Sequence, residues 1–293
     1  MRRILIVANP VAGRGKLSLA EQVAGRLREA GCHVDLYFTT CAGDATAYVS
    51  ALAELPDVIA VAGGDGTVNE VVNGLKAIAN DRFALALIPS GTTNVLAMEL
   101  GIRRDAGKIA AMIEQGKEKA VWPGSINGRR FMLMAGIGYD AWVVDNVDTQ
   151  LKKRLGKLAY VWSMLKQLRH FGKKTYQVSV DGKEYCANSV IMTNGRFYGG
   201  SFVISKQADL SRPETQVLMM SGKNPLKLLF ILLGLPLGIM EKMPGIVSQP
   251  ARRVDITMDG SDGHEPVQAD GDSLAHLPLS LMMDEQPLRV LVP

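Results

Sequence analysis

At 293 residues the chain is long enough for one large domain or two modest ones with a substantial core. Hydrophobic residues make up 47% and charged residues 21%, which is ordinary for a soluble protein. The formal charge of +4 is too mild for a nucleic-acid binder, so no nucleic-acid partner is expected. Cys32, Cys41 and Cys186 form no CxxC pair, which favours free thiols in a reducing compartment over a disulfide framework or a zinc site.

The opening "MRRILIVANP" has too short an apolar run for a signal peptide, and "ILIVA" reads as a buried parallel strand. From there strands are expected at Arg3–Ala8, His33–Phe38, Val58–Ala62 and Leu85–Ile88. Helices are expected at Leu17–Ala30, Asp44–Glu54, Val68–Ile78, Asn94–Leu100 and Ala106–Gln115. This alternation over residues 1–121 is the rhythm of an α/β domain with a doubly wound parallel sheet. Near Trp122 the rhythm changes. Residues 122–285 read as a second, strand-rich domain, with strands at Tyr176–Val180, Ser189–Thr193, Gln216–Met220, Val254–Met258 and Leu279–Met283. The longest uncharged apolar run, Leu228–Met240, falls short of the roughly 20 residues a spanning helix needs. A cytoplasmic protein is expected, and Leu228–Met240 reads as part of a core helix in preference to a membrane-touching flap.

Chemistry concentrates at the ends of the early strands. "VAGGDGTVNEVVNGL", residues 61–75, leaves a strand through Gly63-Gly64-Asp65-Gly66 and enters a helix. Val68, Val71, Val72 and Leu75 fall on one face of that helix, and Thr67 with Glu70 spells a T-x-x-E capping box. Glycines permit positive φ and close ligand approach, and the N–H groups of a turn opening a helix favour an anion. "ANPVAGRGK" and "IPSGTTN" end the first and fourth strands in the same manner. Ligands of open α/β sheets bind at that carboxyl edge. Neither loop is a Walker A motif, since Leu17 follows Gly15-Lys16. Ser18 occupies the third glycine position of a dinucleotide fingerprint.

Asn9-Pro10 with Gly13, "GGDGTVNE", "PSGTTN" and the C-terminal "PVQADGD…LPLSL…LRVLVP" together resemble the diacylglycerol kinase catalytic-domain family, which includes bacterial lipid kinases and sphingosine kinases. GGDGT also occurs in NAD kinases and phosphofructokinase-like enzymes. Asn69-Glu70 directly after the turn is the lipid-kinase arrangement. The resemblance implies a phosphofructokinase-like α/β domain and a C-terminal β-sandwich with nucleotide in the crevice between them, and a last segment (286–293) returning to the first domain. It implies ATP and Mg²⁺ as cofactors and a membrane lipid as substrate.

The resemblance also implies roles. Gly63, Gly64, Gly66 and Thr67 would cradle phosphate. Asp65 would hold Mg²⁺ through water or order the loop, and no dedicated protein metal site is expected. Asn9, Thr39, Asn69, Thr92 and Asn94 would contact the nucleotide, although Thr39 reads equally well as a helix-capping hydroxyl. Where the family has Asp-Gly-Glu with glutamate as general base, this chain has Asp270-Gly271-Asp272, so Asp272 becomes the base on a shorter stem. An Asp-Gly pair here also predicts a type I′ hairpin turn. In "ADLSRPE", Arg212 and Pro213 replace the Asp-Gly of an auxiliary Mg²⁺ site, and a guanidinium cannot ligate Mg²⁺. Val95 replaces an aspartate that some relatives carry.

Lys and Arg interleave with Leu, Val, Trp and Phe between residues 151 and 174, as suits transient docking on an anionic membrane or a solvated basic helix face. The leading expectation is a cytoplasmic, peripherally membrane-associating lipid kinase. A kinase of a soluble substrate such as NAD and a nucleotide-binding regulatory protein with little turnover are the alternatives. The lipid is not legible, and neither is the oligomeric state, with a homodimer among the options.

Overall fold

The computed structural model describes residues 1–11, 18–146, 166, 168, 171–222, 224–258 and 265–293. It forms two compact units: Met1–Pro123 with Gly199–Ser201 and Glu285–Pro293, and Gly124–Tyr198 with Phe202–Asp284.

The first unit is built on apolar runs. Strands β1 (Arg3–Ala8), β2 (His33–Phe38), β3 (Val58–Gly63), β4 (Ala84–Pro89) and β5 (Glu118–Val121) alternate with helices α1 (Leu19–Glu29), α2 (Asp44–Ser50), α3 (Asp65–Gly74), α4 (Val95–Glu99) and α5 (Ala106–Gln115). β3 and β4 are buried along their whole length, as expected for strands covered on both faces. The order is β2-β1-β3-β4, then the C-terminal strand Leu288–Leu291, then β5. The first five strands run parallel and β5 antiparallel, so the expected parallel sheet carries one reversed edge strand. Strand order reverses direction between β1 and β3. Right-handed crossovers therefore send α1 to one face and α2 and α3 to the other, and the loops leaving β1 and β3 part at their carboxyl ends. α1 packs on α5, and α2 on α3.

Local signals explain the helix ends. Ser18, the residue that spoils the dinucleotide fingerprint, caps α1 in a full capping box with Glu21. α5 begins on an Asp105 cap and ends at left-handed Gly116. α3 departs from expectation. It starts at Asp65, before Thr67, and Gly64 stands at its N-cap with no side-chain bond, so the Thr67–Glu70 capping box does not form. α2 stops at Ser50 instead of reaching Glu54.

The second unit is a β-sandwich of two six-stranded antiparallel sheets. One sheet orders Lys183–Ala187, Tyr176–Val180, Arg253–Thr257, Leu279–Met283, Gly124–Ile126 and Arg129–Phe131. The other orders Ile246–Ala251, Thr215–Met220, Ser189–Thr193, Met134–Ile137, Pro266–Ala269 and Asp272–His276. Ser189–Thr193 and Thr215–Met220 are buried throughout, because helices Tyr139–Asp145 and Pro225–Leu233 cover the outer face through Tyr139, Val143, Leu228 and Ile231. The expectation of a core helix in the Leu228–Met240 region is corrected here. Leu228 and Ile231 are buried, but Leu226, Leu229, Phe230, Leu233, Leu237 and Ile239 are exposed. Most of the basic stretch 151–174 lies outside the described residues.

Candidate active site

The glycine turn owes its composition to close packing. None of Gly63, Gly64 and Gly66 has positive φ, contrary to the sequence argument. A Cβ on Gly63 would meet the Thr67 side chain at 2.5 Å, and one on Gly91 would meet Gly64 Cα at 2.5 Å. The turn after β3 and the "PSGTTN" loop after β4 therefore touch backbone to backbone, which only glycine permits. Ser90 N and Gly91 N both donate to Gly63 O, at 3.0 and 3.2 Å.

Asp65 locks the same pair of loops. Its carboxylate accepts from Val95 N at 2.9 Å and Leu96 N at 3.0 Å, capping α4 from across the gap. Val95, which cannot replace an aspartate by its side chain, contributes its amide to this brace. Asn94 is left-handed (φ 50), and its amide bonds Gly91 at both ends, Oδ1 accepting from N at 3.0 Å and Nδ2 donating to O at 2.7 Å. Asn9 N donates to Ala62 O at 2.8 Å, and Thr39 N to Ala8 O at 2.9 Å, which ties the ends of β1 and β2 into the same edge.

Asn9, Thr39, Gly63, Gly64, Asp65, Gly66, Thr67, Thr92 and Asn94 thus all lie at the carboxyl edge of the sheet. Thr67 is buried against Gly63, Thr92 is exposed, and Thr39 is buried and caps nothing, since Gly43 stands at the N-cap of α2. Asn69 sits a turn into α3, where its Oδ1 accepts from Asn73 Nδ2 at 2.6 Å. Residues 12–17 of "ANPVAGRGK" lie outside the described residues. Because α3 has no side-chain cap, the N–H groups of its first turn are open to an anion.

A second constellation belongs to the sandwich unit. Asp270 (φ 50) and Gly271 (φ 88) form the expected primed turn between Pro266–Ala269 and Asp272–His276. The Asp270 carboxylate accepts from Met132 N, Leu133 N and Met134 N at 2.7, 2.8 and 3.0 Å. From the other side, Gln268 Oε1 accepts from Gly271 N at 3.1 Å, while its Nε2 donates to Asp140 Oδ2 at 2.6 Å. The Tyr198 hydroxyl donates to the other Asp140 oxygen. Asp140 is buried, and burial holds its carboxyl above the usual carboxylate range. A Cβ at Gly136 would fall 1.9 Å from Asp140 Oδ2, so that strand position has to be glycine. Asp272 emerges from this pinned turn exposed, and nothing among the described residues hydrogen-bonds its carboxylate.

Asp140, Gln268 and Tyr198 escape sequence reasoning, and Gly91 is legible there only as part of the "PSGTTN" loop. The signals available were an acid inside the apolar "GIGYDAW" and a glutamine two residues before the Asp-Gly turn. At the departing "ADLSRPE" segment, the Arg212 guanidinium lies 3.9 Å from Asp209 and 3.5 Å from Glu214, supplying a positive charge between the two acids.

The model of the diacylglycerol kinase catalytic domain matches residues 3–126, and that of the YegS C-terminal NAD kinase β-sandwich-like domain matches residues 134–292. The chain joins a diacylglycerol kinase catalytic domain to a C-terminal domain of the YegS family. Among its relatives, a diacylglycerol kinase of Bacillus subtilis is 42% identical over 188 residues, covering 62% of this chain and 61% of the relative. A diacylglycerol kinase of Staphylococcus carnosus is 27% identical over 100% of this chain and 95% of the relative. A crystal structure of a diacylglycerol kinase from Bacillus anthracis superposes with a TM-score of 0.80 at 26% identity, covering 100% of this chain and 97% of that one. The family frame places the glycine turn within the catalytic-domain match and the Asp270–Asp272 turn within the sandwich match.

Proposed function

We propose that the chain is an ATP-dependent lipid kinase, transferring the γ-phosphoryl group to a lipid hydroxyl. Diacylglycerol is the first substrate to test, with ceramide, a sphingoid base and phosphatidylglycerol as related acceptors. The observation that carries this reading is the start of α3, which has no side-chain cap, beside the Gly64–Gly91 contact, a cradle of backbone N–H groups at two glycines. Those groups fit phosphate. Asp65 fits a role that orders the cradle, and its carboxylate is the acid a hydrated Mg²⁺ on the phosphates would meet. Among the described residues no cluster of three ligating side chains forms a dedicated metal site.

Mg²⁺ bound with the nucleotide would supply charge neutralisation. The remaining work falls to the chain: the turn orients the phosphates, Asn9, Thr39, Asn69, Thr92 and Asn94 contact the nucleotide, and Asp272 accepts the proton of the attacking hydroxyl. Its exposed carboxylate, on a turn held by the Asp270 and Gln268 hydrogen bonds, suits that role. The substrate places the protein on an anionic membrane surface of the cytoplasm. No helix among the described residues is long and apolar enough to cross a membrane.

A soluble-substrate kinase of the NAD-kinase type is the second reading, favoured by the NAD kinase-like description of the C-terminal domain. Labelled ATP with Mg²⁺, offered in parallel to the four lipids and to NAD, separates the readings. Label in the lipid phase is expected. Label in the dinucleotide alone supports the second reading, and nucleotide binding without transfer to any acceptor supports a regulatory protein.

A further inference from the structure

The helix Pro225–Leu233 is apolar on both faces, yet only one face is covered. Leu228 and Ile231 point inward, onto a cluster that includes Tyr139, Phe171 and Leu218. Leu226, Leu229, Phe230 and Leu233 recur at i, i+3, i+4 and i+7, so they form one continuous outward stripe. Leu226, Phe230 and Leu233 are 71%, 52% and 60% exposed, and Leu237 beyond the helix end is 70% exposed. An apolar stripe of this size left in water marks an interaction surface.

Charge decides the occupant. Lysines occur around this segment. Lys227 lies on the helix, half-buried with its Nζ donating to Ser221 O at 2.9 Å, Lys242 follows the helix and is exposed, and the Lys206 stem lies against Gly238, where a Cβ would be 3.8 Å from Lys206 Cε. The acid in this region, Glu241, is occupied by the Ser205 hydroxyl at 2.6 Å. The inner face of the helix rests on Leu168 and Phe171, which belong to the basic stretch 151–174. Exposed apolar side chains in a segment that carries lysines match an anionic bilayer surface, with acyl chains beneath a layer of negative headgroups.

We propose that the outward stripe of helix Pro225–Leu233, continued by Leu237, is the surface by which this protein inserts into the outer layer of an anionic membrane. This rests on the lipid-kinase reading for its purpose, but its test does not. The nine-residue helix is too short to span, so it lies in the interface with its axis along the membrane plane. Lysines speed and orient arrival, and the leucines and phenylalanine hold.

The test uses the full chain, without nucleotide, sedimented with vesicles of phosphatidylcholine alone or with phosphatidylglycerol. Wild type should bind the mixed vesicles preferentially. At about 1 M salt, where screening shortens to about 3 Å, binding should weaken but persist. The triple variant Phe230→Ser, Leu233→Ser, Leu237→Ser should melt at the wild-type temperature, because these side chains are exposed, and should partition on the order of 100-fold more weakly. In a separate Leu237→Trp protein the added emission should be quenched by brominated lipid. Unchanged partitioning of the triple variant, or no quenching of the new tryptophan, overturns the proposal. A change from dimer to monomer with vesicle binding intact also overturns it, and assigns the stripe to a second copy of the chain. Wild-type vesicle binding without phosphate transfer to any lipid would instead sink the kinase reading and leave this surface standing.

Discussion

Asp65 in the α/β unit and Asp270 in the sandwich unit each adjoin a glycine at a tight turn, and both have the same occupation. Asp65 accepts from two backbone amides of α4 and Asp270 from three amides of 132–134. Both acids brace. The turns differ in what the brace presents. The first exposes backbone N–H groups at the start of α3, suited to phosphate. The second exposes the Asp272 carboxylate, suited to a proton. An acid beside glycine in a functional loop is therefore not automatically the reacting group: its partners decide.

The largest effect should come from Asp272→Asn. On the proposed role, turnover should fall by ~10²–10⁴-fold in a phosphate-transfer assay, with the melting temperature unchanged because the side chain is exposed and hydrogen-bonded to none of the described residues. Asp272→Glu should fall between wild type and Asn if the pocket has adapted to the shorter acid. A glutamate variant faster than wild type would show that it has not. Next, Asp65→Ala removes both amide bonds at the start of α4. It should cost about 2 kcal/mol in urea unfolding and weaken nucleotide binding together with turnover.

A smaller effect is expected from Gly91→Ala. The added methyl would overlap Gly64, costing about 1–3 kcal/mol and loosening nucleotide binding without touching the proton step. The smallest is a pH effect at Asp140. Its native pKa lies above the unfolded value, so the native chain holds the proton more tightly. Stability is full below the ordinary carboxylate range and declines as pH rises through it toward the raised native value. Asparagine carries no such proton and can still accept from Gln268 while donating to Tyr198. The urea midpoint of Asp140→Asn should therefore gain on wild type as the pH is raised above about 4, the ordinary aspartate value. A constant difference across that range would contradict the assignment.

Much of this was legible where a local rule decides the outcome. The first two strands have the expected bounds: β1 is an apolar run after Arg3, and β2, HVDLYF, is a short β-prone stretch set off by Gly31 on one side and the Thr39-Thr40 pair on the other. α5 has its expected bounds because Asp105 and Gly116 punctuate it, and Asp-Gly dictates the primed turn. The rest failed where tertiary contact overrides a local pattern. Thr67 cannot cap α3 because its side chain is packed on Gly63, and the helix starts three residues sooner than expected. Asp140 and Gln268 meet across 128 residues of sequence, which no spacing rule reaches. The helix Pro225–Leu233 is apolar all round, so periodicity could not say which face the fold covers.

The division between a bracing and a reacting acid is tested most directly by calorimetric titration of Mg²⁺ and a non-hydrolysable ATP analogue into Asp65→Ala and Asp272→Asn side by side. The account predicts an asymmetry: Asp65→Ala loses most of its nucleotide affinity, while Asp272→Asn binds the analogue as wild type does. Equal losses of affinity in both, or undiminished affinity in Asp65→Ala, would contradict it.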